Sequence, residues 1–232
     1  GNDKDAAEVI AAKAKELGSP AYKVIQAGAK VLGNNKDGID FSLEDDYYGD
    51  TRFHIPFIAW YQVMNASLAL TTMEVLKDRI PVTMEQLQAG IANTRWQGRM
   101  ETILPGVIVD GAHNEDGVRR FVETAERFQK EYPLTLLFSA VNDKDYQNMI
   151  HTICSRIKFR KVVTTEVGGY REVPSAELAE IFCKEGCKDV GNSDNIEEAF
   201  HMAHEAKGED GMLFCVGSLY LVGEIKTLLL KK

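Results

Sequence analysis

From residue 107 to the C-terminus, short apolar runs alternate with segments of helical periodicity, and this alternation constrains the fold more than any other feature. Each run is followed by a stretch with helical spacing, which is typical of strand–helix units. The runs cover residues 107–109, 134–141, 161–167, a short segment around 190, and 212–216. Five such units predict an α/β, Rossmann-like, mostly parallel sheet with helices on both faces, in which ligands bind beyond the carboxyl ends of the strands.

The preceding residues have a different, α+β pattern. Spacing of apolar side chains predicts a helix at the start, with Ala6, Val9, Ile10 and Ala14 on one face, followed by short antiparallel strands and two helices. The predicted helices cover residues 5–17, 57–76 and 83–92, and the strands 21–26, 29–32, 39–43 and 52–55. Thr83 is the predicted N-cap of the last helix. The change of pattern divides the chain into units 1–94 and 95–232.

Composition excludes several classes of protein. A net charge of -8 disfavours sequence-independent nucleic-acid binding, which needs Lys and Arg to neutralise phosphates. No apolar run approaches the ~20 residues that cross a bilayer, and the first residues lack the order of a secretory signal, so a cytoplasmic protein without membrane contact is expected. Sparse cysteines without a C-x-x-C pair indicate reduced thiols. They are Cys154, Cys183, Cys187 and Cys215.

A cluster of polar side chains follows the first strand of the predicted parallel sheet. The strand 107–109 continues into Asp110, Gly111, Ala112, His113 and Asn114, just before a helix. At this edge of the sheet Asp110 could bind ribose hydroxyls, and His113 could orient a carboxylate or an amine. Alternatively, Asp110 or Asn114 caps the following helix.

Two further segments suggest anion binding. Arg99 follows Gly98, which allows close approach of the backbone to a ligand, and a guanidinium matches phosphate oxygens. The alternative is that Arg99 forms a surface salt bridge. Ser218 lies between the last strand and the last helix, where it could bind an anionic group or act only as an N-cap.

Three other polar features have open interpretations. Asn65 lies inside an apolar helix, where amides are unusual, and it could read a base edge or bond to a neighbouring segment. His201 and His204 share a helical face, but their acidic neighbours favour a solvated surface over a metal site. Residues 142–145 could cap a helix or line a ligand cleft.

Five short motifs, in the same order and at fitting spacing, resemble the folylpolyglutamate synthase and dihydrofolate synthase family of the Mur ligase superfamily. Together they extend over most of the chain. They are Tyr61-Gln62-x-x-Asn65-Ala66, Trp96-x-Gly98-Arg99-x-Glu101, Asp110-Gly111-Ala112-His113-Asn114, Asp143-Lys144-Asp145 and Gly217-Ser218-Leu219-Tyr220-Leu221-Val222-Gly223.

The resemblance implies an ATP-dependent ligation. ATP phosphorylates a carboxylate of folate or dihydropteroate, and L-glutamate attacks the acyl phosphate. ATP would lie between the end of a central ATPase domain, here residues 1–94, and a C-terminal glutamate-binding domain, here 95–232. Carried over to this sequence, Asn65 contacts adenine, Asp110 ribose and Arg99 the phosphates. His113 and Ser218 line the glutamate pocket, and Arg99 and His113 are the catalytic candidates.

The chain departs from the family in one respect. It contains no G-x-x-x-x-G-K-[ST] loop, and the family's magnesium ligands and folate-binding loops are expected in an N-terminal half. We therefore expect a C-terminal portion that is inactive alone. The alternatives are another Mur-type amino-acid ligase with a different acceptor, and a stand-alone, non-catalytic module for ligand binding or assembly.

Overall fold

The computed structural model describes residues 4–24, 28–35, 37–169 and 172–230, whose strands form two separate sheets. The first unit contains α1 Lys4–Glu16, β1 Ala29–Asn35, β2 Gly38–Leu43, β3 Phe53–Ile55, α2 Tyr61–Val75 and α3 Met84–Ala92. Its antiparallel sheet has the order β1-β2-β3 and packs against α2 and α3. Thr83 caps α3 in a capping box with Gln86, so this predicted N-cap is confirmed.

The second unit contains a six-stranded sheet. Its strands are β4 Glu101–Leu104, β5 Val107–Asp110, β6 Leu134–Phe138, β7 Phe159–Thr164, β8 Val190–Asn192 and β9 Met212–Val216. Its helices are α4 Glu115–Phe128, α5 Tyr146–Arg156, α6 Ser175–Lys184, α7 Ile196–Lys207 and α8 Leu219–Leu230. The order is β4-β5-β9-β6-β7-β8, with every neighbouring pair parallel except β4 and β5. The predicted fold class is confirmed.

Helices cover both faces of this sheet. On one face Ile108, Leu136 and Phe214 pack against α4, α5 and α6, whereas on the other face Val109 and Cys215 pack against α7 and α8. Successive strand residues point to opposite faces, so the central strands bury every side chain. This explains why their sequences are continuous apolar runs rather than alternating ones. Among the described helices, none is long and apolar enough to cross a membrane.

The first unit differs from the sequence prediction in two of its elements. Residues 21–24 are not a strand and have no pairing partner among the described residues, while the rest of that predicted strand lies outside them. The helix predicted over 57–76 begins only at Tyr61. Ile58 and Ala59, just before it, are buried in the core of the larger sheet, and this tertiary packing keeps the segment out of the helix.

Helix α1 forms where it was predicted, but its apolar face is not covered. The side chains of Val9 and Ile10 are 68% and 66% exposed. Apolar side chains at helical spacing predict which face is suited to burial, whereas actual burial needs a packing partner, which the described residues do not provide.

Strand β4 was not predicted. It pairs with β5 through a turn at Pro105 and Gly106, whose φ is 69°. Pro followed by Gly is a turn signal, and it indicates this hairpin in retrospect. The predicted division of the chain falls between α3 and β4.

Phe214 should be a major contributor to the stability of the second unit. Its ring is fully buried in β9 and lies 5.5 Å from the ring of Phe121 in an edge-to-face contact. Phe214→Ala should lower the free energy of unfolding by about 3–5 kcal/mol, because it removes buried apolar surface and leaves a cavity. Urea unfolding monitored by circular dichroism measures this change in free energy. Leu230→Ala, at a side chain that is 87% exposed, should cost less than about 0.5 kcal/mol, and equal losses for the two variants would contradict the assignment.

Candidate active site at the carboxyl end of β5

Asp110, the last residue of β5, joins the end of the strand to the loop that carries Arg99. Its Oδ2 accepts a hydrogen bond from the Met100 backbone N–H at 2.8 Å, and its Oδ1 accepts one from the Ala112 N–H at 2.8 Å. The Gly111 N–H also donates to the Gly98 carbonyl at 2.8 Å. These bonds hold Met100 in a left-handed conformation, with φ 47°, and fix the position of the Arg99 backbone.

Burial dominates the electrostatics of Asp110. The residue is only 5% exposed, and this burial raises the pKa of its carboxyl to about 6. The two backbone hydrogen bonds, and then the charges of Arg99 and His113, act in the opposite direction and favour the ionised form. Each carboxylate oxygen keeps a second lone pair beyond the backbone bond that it accepts.

Close packing at Gly111 brings α8 and Arg99 against the end of β5. A Cβ atom at Gly111 would lie 2.2 Å from Leu219 Cδ2 and 2.9 Å from Arg99 Nη1. A side chain there would therefore displace the side chains of Leu219 and Arg99. Gly98, with φ 66°, also packs against Leu219, so its role here is contact with α8.

A cleft of about 300 Å³ opens beside these residues, and we call it the main cleft. Four of the five predicted site residues line it, together with Tyr61 and Arg120, which were not predicted as site residues. The four are Asn65, Arg99, Asp110 and His113. Because Tyr61 and Asn65 come from α2, the main cleft lies where the two units meet.

Arg99 has no carboxylate partner within ion-pair distance in the described part of the chain. Its Nη1 donates to the Gly98 carbonyl at 3.1 Å, and its guanidinium carbon lies 5.9 Å from the centroid of the half-exposed Trp96 ring. The surface salt bridge considered from the sequence is therefore not found. The remaining N–H donors of the guanidinium are available for a ligand in the main cleft.

Arg120 and Tyr61 connect α4 to α2. The Arg120 guanidinium carbon lies 5.3 Å from the Tyr61 ring centroid, and its Nε donates to Asp116 at 2.8 Å. Burial raises the pKa of the Tyr61 hydroxyl above its usual value. In the sequence, Asp116 and Arg120 have the spacing of an ordinary solvated helical ion pair, so the spacing gave no sign that Arg120 lines a cleft.

Asn65 is held by its own helix. Its Nδ2 donates to Gln62 Oε1 at 2.8 Å, which leaves its Oδ1 as a free acceptor in that pair. Gln62 is buried, and its Nε2 has no hydrogen-bond partner among the described residues. An unpaired buried amide next to the main cleft is costly unless a ligand or water satisfies it.

His113 lies between the main cleft and a second cavity of about 180 Å³, the side cavity. Its Nδ1 donates to the Gly111 carbonyl at 2.7 Å, because a carbonyl oxygen can only accept, so in the neutral ring Nε2 is an acceptor. Asn114 caps α4 and Asp145 caps α5. The N-termini of both helices border the side cavity, together with Lys144.

These caps decide which residue caps α4 and what residues 142–145 do, both of which the sequence left open. Asn114 caps the helix after β5, whereas Asp110 does not. The segment 142–145 both caps α5, through Asp145, and contributes residues to the side cavity.

Ser218 is the one predicted site residue that lines neither cavity. It is 3% exposed at the start of α8, and its Oγ accepts a hydrogen bond from the Tyr220 N–H at 3.1 Å, which matches the capping interpretation. His201 pairs with Glu197 at 3.9 Å. Across the described ranges, no three His, Cys, Asp or Glu side chains are close enough to hold a metal ion together.

The raised pKa of Asp110 predicts a pH-dependent stability. The folded protein keeps this proton up to about pH 6, whereas the unfolded chain releases it near pH 4. Between these values the folded state binds more protons, so stability falls as pH rises. The free energy of unfolding of the wild type should therefore decrease relative to Asp110→Asn by about 2 kcal/mol from pH 4 to 6, measured by denaturant titration.

The matched control is Asp116→Asn. Hydrogen bonds from Arg120 and Arg119 hold the pKa of the Asp116 carboxyl below its usual value. Relative to this variant, the wild type should lose stability as pH falls below about 4, which is the opposite trend. A difference between wild type and Asp110→Asn that does not change with pH would contradict the raised pKa.

Comparison with known proteins finds a family match over the segment that contains Arg99, Asp110 and His113. Residues 98–219 match the family model described as Mur ligase, glutamate ligase domain. The chain is 30% identical over 194 residues to the dihydrofolate synthase/folylpolyglutamate synthase of Bacillus subtilis, covering 80% of this chain and 43% of that protein. It is 25% identical to the probable dihydrofolate synthetase of Schizosaccharomyces pombe, covering 83% of this chain and 48% of that protein.

Solved structures share the fold. Folylpolyglutamate synthase of Thermotoga maritima matches with a TM-score of 0.78 at 24% identity, covering 99% of this chain and 52% of that one. The Mycobacterium tuberculosis folylpolyglutamate synthase complexed with ADP and AMPPCP matches with a TM-score of 0.75 at 24% identity, covering 96% and 52%. The chain thus spans about half the length of the relatives it matches. The chain therefore belongs to the Mur ligase family, through its glutamate ligase domain, and it is similar to dihydrofolate and folylpolyglutamate synthases.

Proposed function

We propose that this chain is the C-terminal part of a cytoplasmic, ATP-dependent ligase that adds L-glutamate to folate or dihydropteroate. ATP phosphorylates the acceptor carboxylate, and the amino group of glutamate attacks the acyl phosphate to give the amide, ADP and phosphate. Residues 1–94 belong to the ATPase domain and residues 95–232 form the glutamate-binding domain. The names of the relatives support this reaction.

The observation that carries the proposal is the unpaired guanidinium of Arg99 in a cleft where the two units meet. Arg99 lines the main cleft, and no carboxylate of the described residues lies within ion-pair distance of its guanidinium. The guanidinium stays charged at all physiological pH values and presents donors in a planar fork that matches phosphate oxygens. As the γ-phosphoryl group is transferred, Arg99 stabilises the charge that develops on its oxygens.

The rest of the main cleft suits a nucleoside. Asn65 Oδ1 is free to accept from the amino group of adenine because Asn65 Nδ2 is occupied by Gln62. The remaining lone pairs of Asp110 accept from the ribose hydroxyls, and the two backbone bonds keep its carboxylate in one orientation. Base, sugar and phosphates are thereby assigned to three residues that line the same cleft.

We assign the glutamate to the side cavity. The N-termini of α4 and α5 and the ammonium of Lys144 favour negative charge there, whereas Glu115, Asp143 and Asp145 also line the cavity and Asp143 lies 3.9 Å from Lys144. His113 Nε2 accepts from the glutamate amine and orients it toward the acyl phosphate, since Nδ1 is held by Gly111. Ser218 lines neither cavity and its Oγ accepts from the Tyr220 N–H at the start of α8, so we assign it no contact with glutamate.

Among the described residues, no three His, Cys, Asp or Glu side chains converge. We assign the Mg²⁺ ligands and the phosphate-binding loop to the portion of the enzyme for which the relatives have additional sequence. Bound Mg²⁺ would neutralise phosphate charge. Without those parts, this chain does not complete the reaction alone.

Arg99→Ala in the intact ligase should lower kcat by roughly 100-fold or more, because one preorganised donor to the transferring phosphoryl group is lost. A coupled assay of ADP release with glutamate and the folate acceptor measures this. Arg95→Ala is the matched control, since Arg95 is an exposed arginine whose Nη1 donates only to the adjacent Thr94 carbonyl. It should leave kcat within about twofold, and near-normal kinetics for Arg99→Ala in a folded protein would remove Arg99 from the site.

The 232-residue chain alone should show no ATP-dependent addition of glutamate to dihydropteroate or tetrahydrofolate. Mass spectrometry of the folate product, with the intact ligase as positive control, measures this. Turnover by the chain alone would contradict the assignment of the phosphate-binding loop to another part of the enzyme. Turnover of the intact ligase with a different acceptor only would instead favour another amino-acid ligase of the same family.

A further inference from the structure

The thiols of Cys154 and Cys187 are in contact, and neither residue lines the main cleft or the side cavity. Their Sγ atoms are 3.6 Å apart although the residues are separated by 33 positions in the chain. Cys154 lies in the last turn of α5, and Cys187 follows the end of α6. Both side chains are half-buried and pack against the core on the face of the larger sheet that α4, α5 and α6 cover.

The backbone fixes this approach. Gly186, with φ 93°, ends α6 in a left-handed conformation, and the Cys187 N–H donates to the Phe182 carbonyl at 3.1 Å. This is the hydrogen bond of a Schellman motif, and it turns Cys187 back against the helix. His151 Nδ1 lies 2.9 Å from Glu185 Oε2, which is a second contact between α5 and the end of α6. The two sulfurs are therefore positioned by several contacts that do not involve them.

We propose that Cys154 and Cys187 form a reversible disulfide, with a low-molecular-weight disulfide as the oxidant. A disulfide has an S–S length of about 2.05 Å, so the sulfurs must approach by about 1.5 Å from the contact seen here. This modification is independent of the proposed ligase activity.

The reaction is a balanced thiol–disulfide exchange. The Cys187 thiolate attacks one sulfur of the oxidant and releases one small thiolate, which takes up the proton lost from Cys187. Cys154 then loses its proton and attacks the Cys187 sulfur, which releases the second small thiol. Two protein thiols are oxidised to one disulfide and one small disulfide is reduced to two thiols.

With the Cys154 S–H as donor, the hydrogen bond between the sulfurs lowers the pKa of the Cys187 thiol below its usual value, and the same bond, together with burial, raises the pKa of Cys154. The thiolate is the nucleophile in exchange, so Cys187 reacts first and Cys154 resolves the mixed disulfide.

The two other cysteines are internal controls. Cys183 is exposed on α6, one turn before Cys187, and has no thiol partner among the described residues. Cys215 is fully buried in β9, and burial raises the pKa of its thiol. Accessibility alone would make Cys183 the reactive residue, whereas geometry favours the Cys154–Cys187 pair.

The test is treatment of the purified protein with oxidised glutathione, followed by intact mass and peptide mapping. The expected product has lost two hydrogens, carries a Cys154–Cys187 linked peptide, and returns to the original mass with a phosphine reductant. The link should raise Tm by about 5 °C, because it restricts the unfolded chain. Cys183→Ser should behave like the wild type. Cys154→Ser should instead accumulate one glutathione adduct at Cys187.

The proposal would be overturned by adducts confined to Cys183, by no reaction at Cys187 in Cys154→Ser, or by a linked peptide joining any other pair. The mapping of the wild-type protein does not require any variant to fold. An unreacted wild-type protein at a glutathione ratio that oxidises a reference dithiol protein would equally exclude the disulfide.

Discussion

The buried carboxylate of Asp110 accepts backbone N–H groups from residues on both sides of it, and the geometry of the candidate site depends on these bonds. Each hydrogen bond to a charged acceptor contributes about 1.5–3 kcal/mol. One bond reaches ten positions back to Met100, and the other stays within the turn after β5. Without them, the loop that carries Arg99 would have no fixed relation to the edge of the sheet, and a left-handed Met100 would be unfavourable.

The parallel sheet supplies the frame for this interaction. Asp110 pairs in register with Val216 of β9, so the turns after β5 and β9 leave the sheet side by side. Gly111 allows Leu219 of α8 to pack against the first turn, and the same space holds the Arg99 guanidinium. An acidic protein therefore presents arginine at the one edge where the ends of strands and the N-termini of helices converge. Net charge does not reveal this local potential.

Prediction from the sequence succeeded where local pattern and final environment agree. The strands of the larger sheet are buried on both faces, so they are continuous apolar runs and were recognised as such, and Thr83 caps α3 through bonds within four residues. It failed where a distant part of the chain decides. Ile58 and Ala59 have helical spacing but pack into the other sheet, and the apolar face of α1 stays exposed. Four of five candidate site residues converge on the main cleft, whereas Ser218 serves the start of α8.

The sequence by itself determined the α/β class, the order of the strand–helix units, and the cluster at the end of β5, because periodicity and turn chemistry are local properties. Only the tertiary structure decided that Asp110 is buried and bonded to Met100, that Arg120 faces Tyr61, and that Cys154 meets Cys187. It also decided that Arg99 has no carboxylate partner within the described ranges. Each of these depends on which side chains distant in sequence come within a few ångströms. Local spacing carries no information about those distances, which tertiary packing sets.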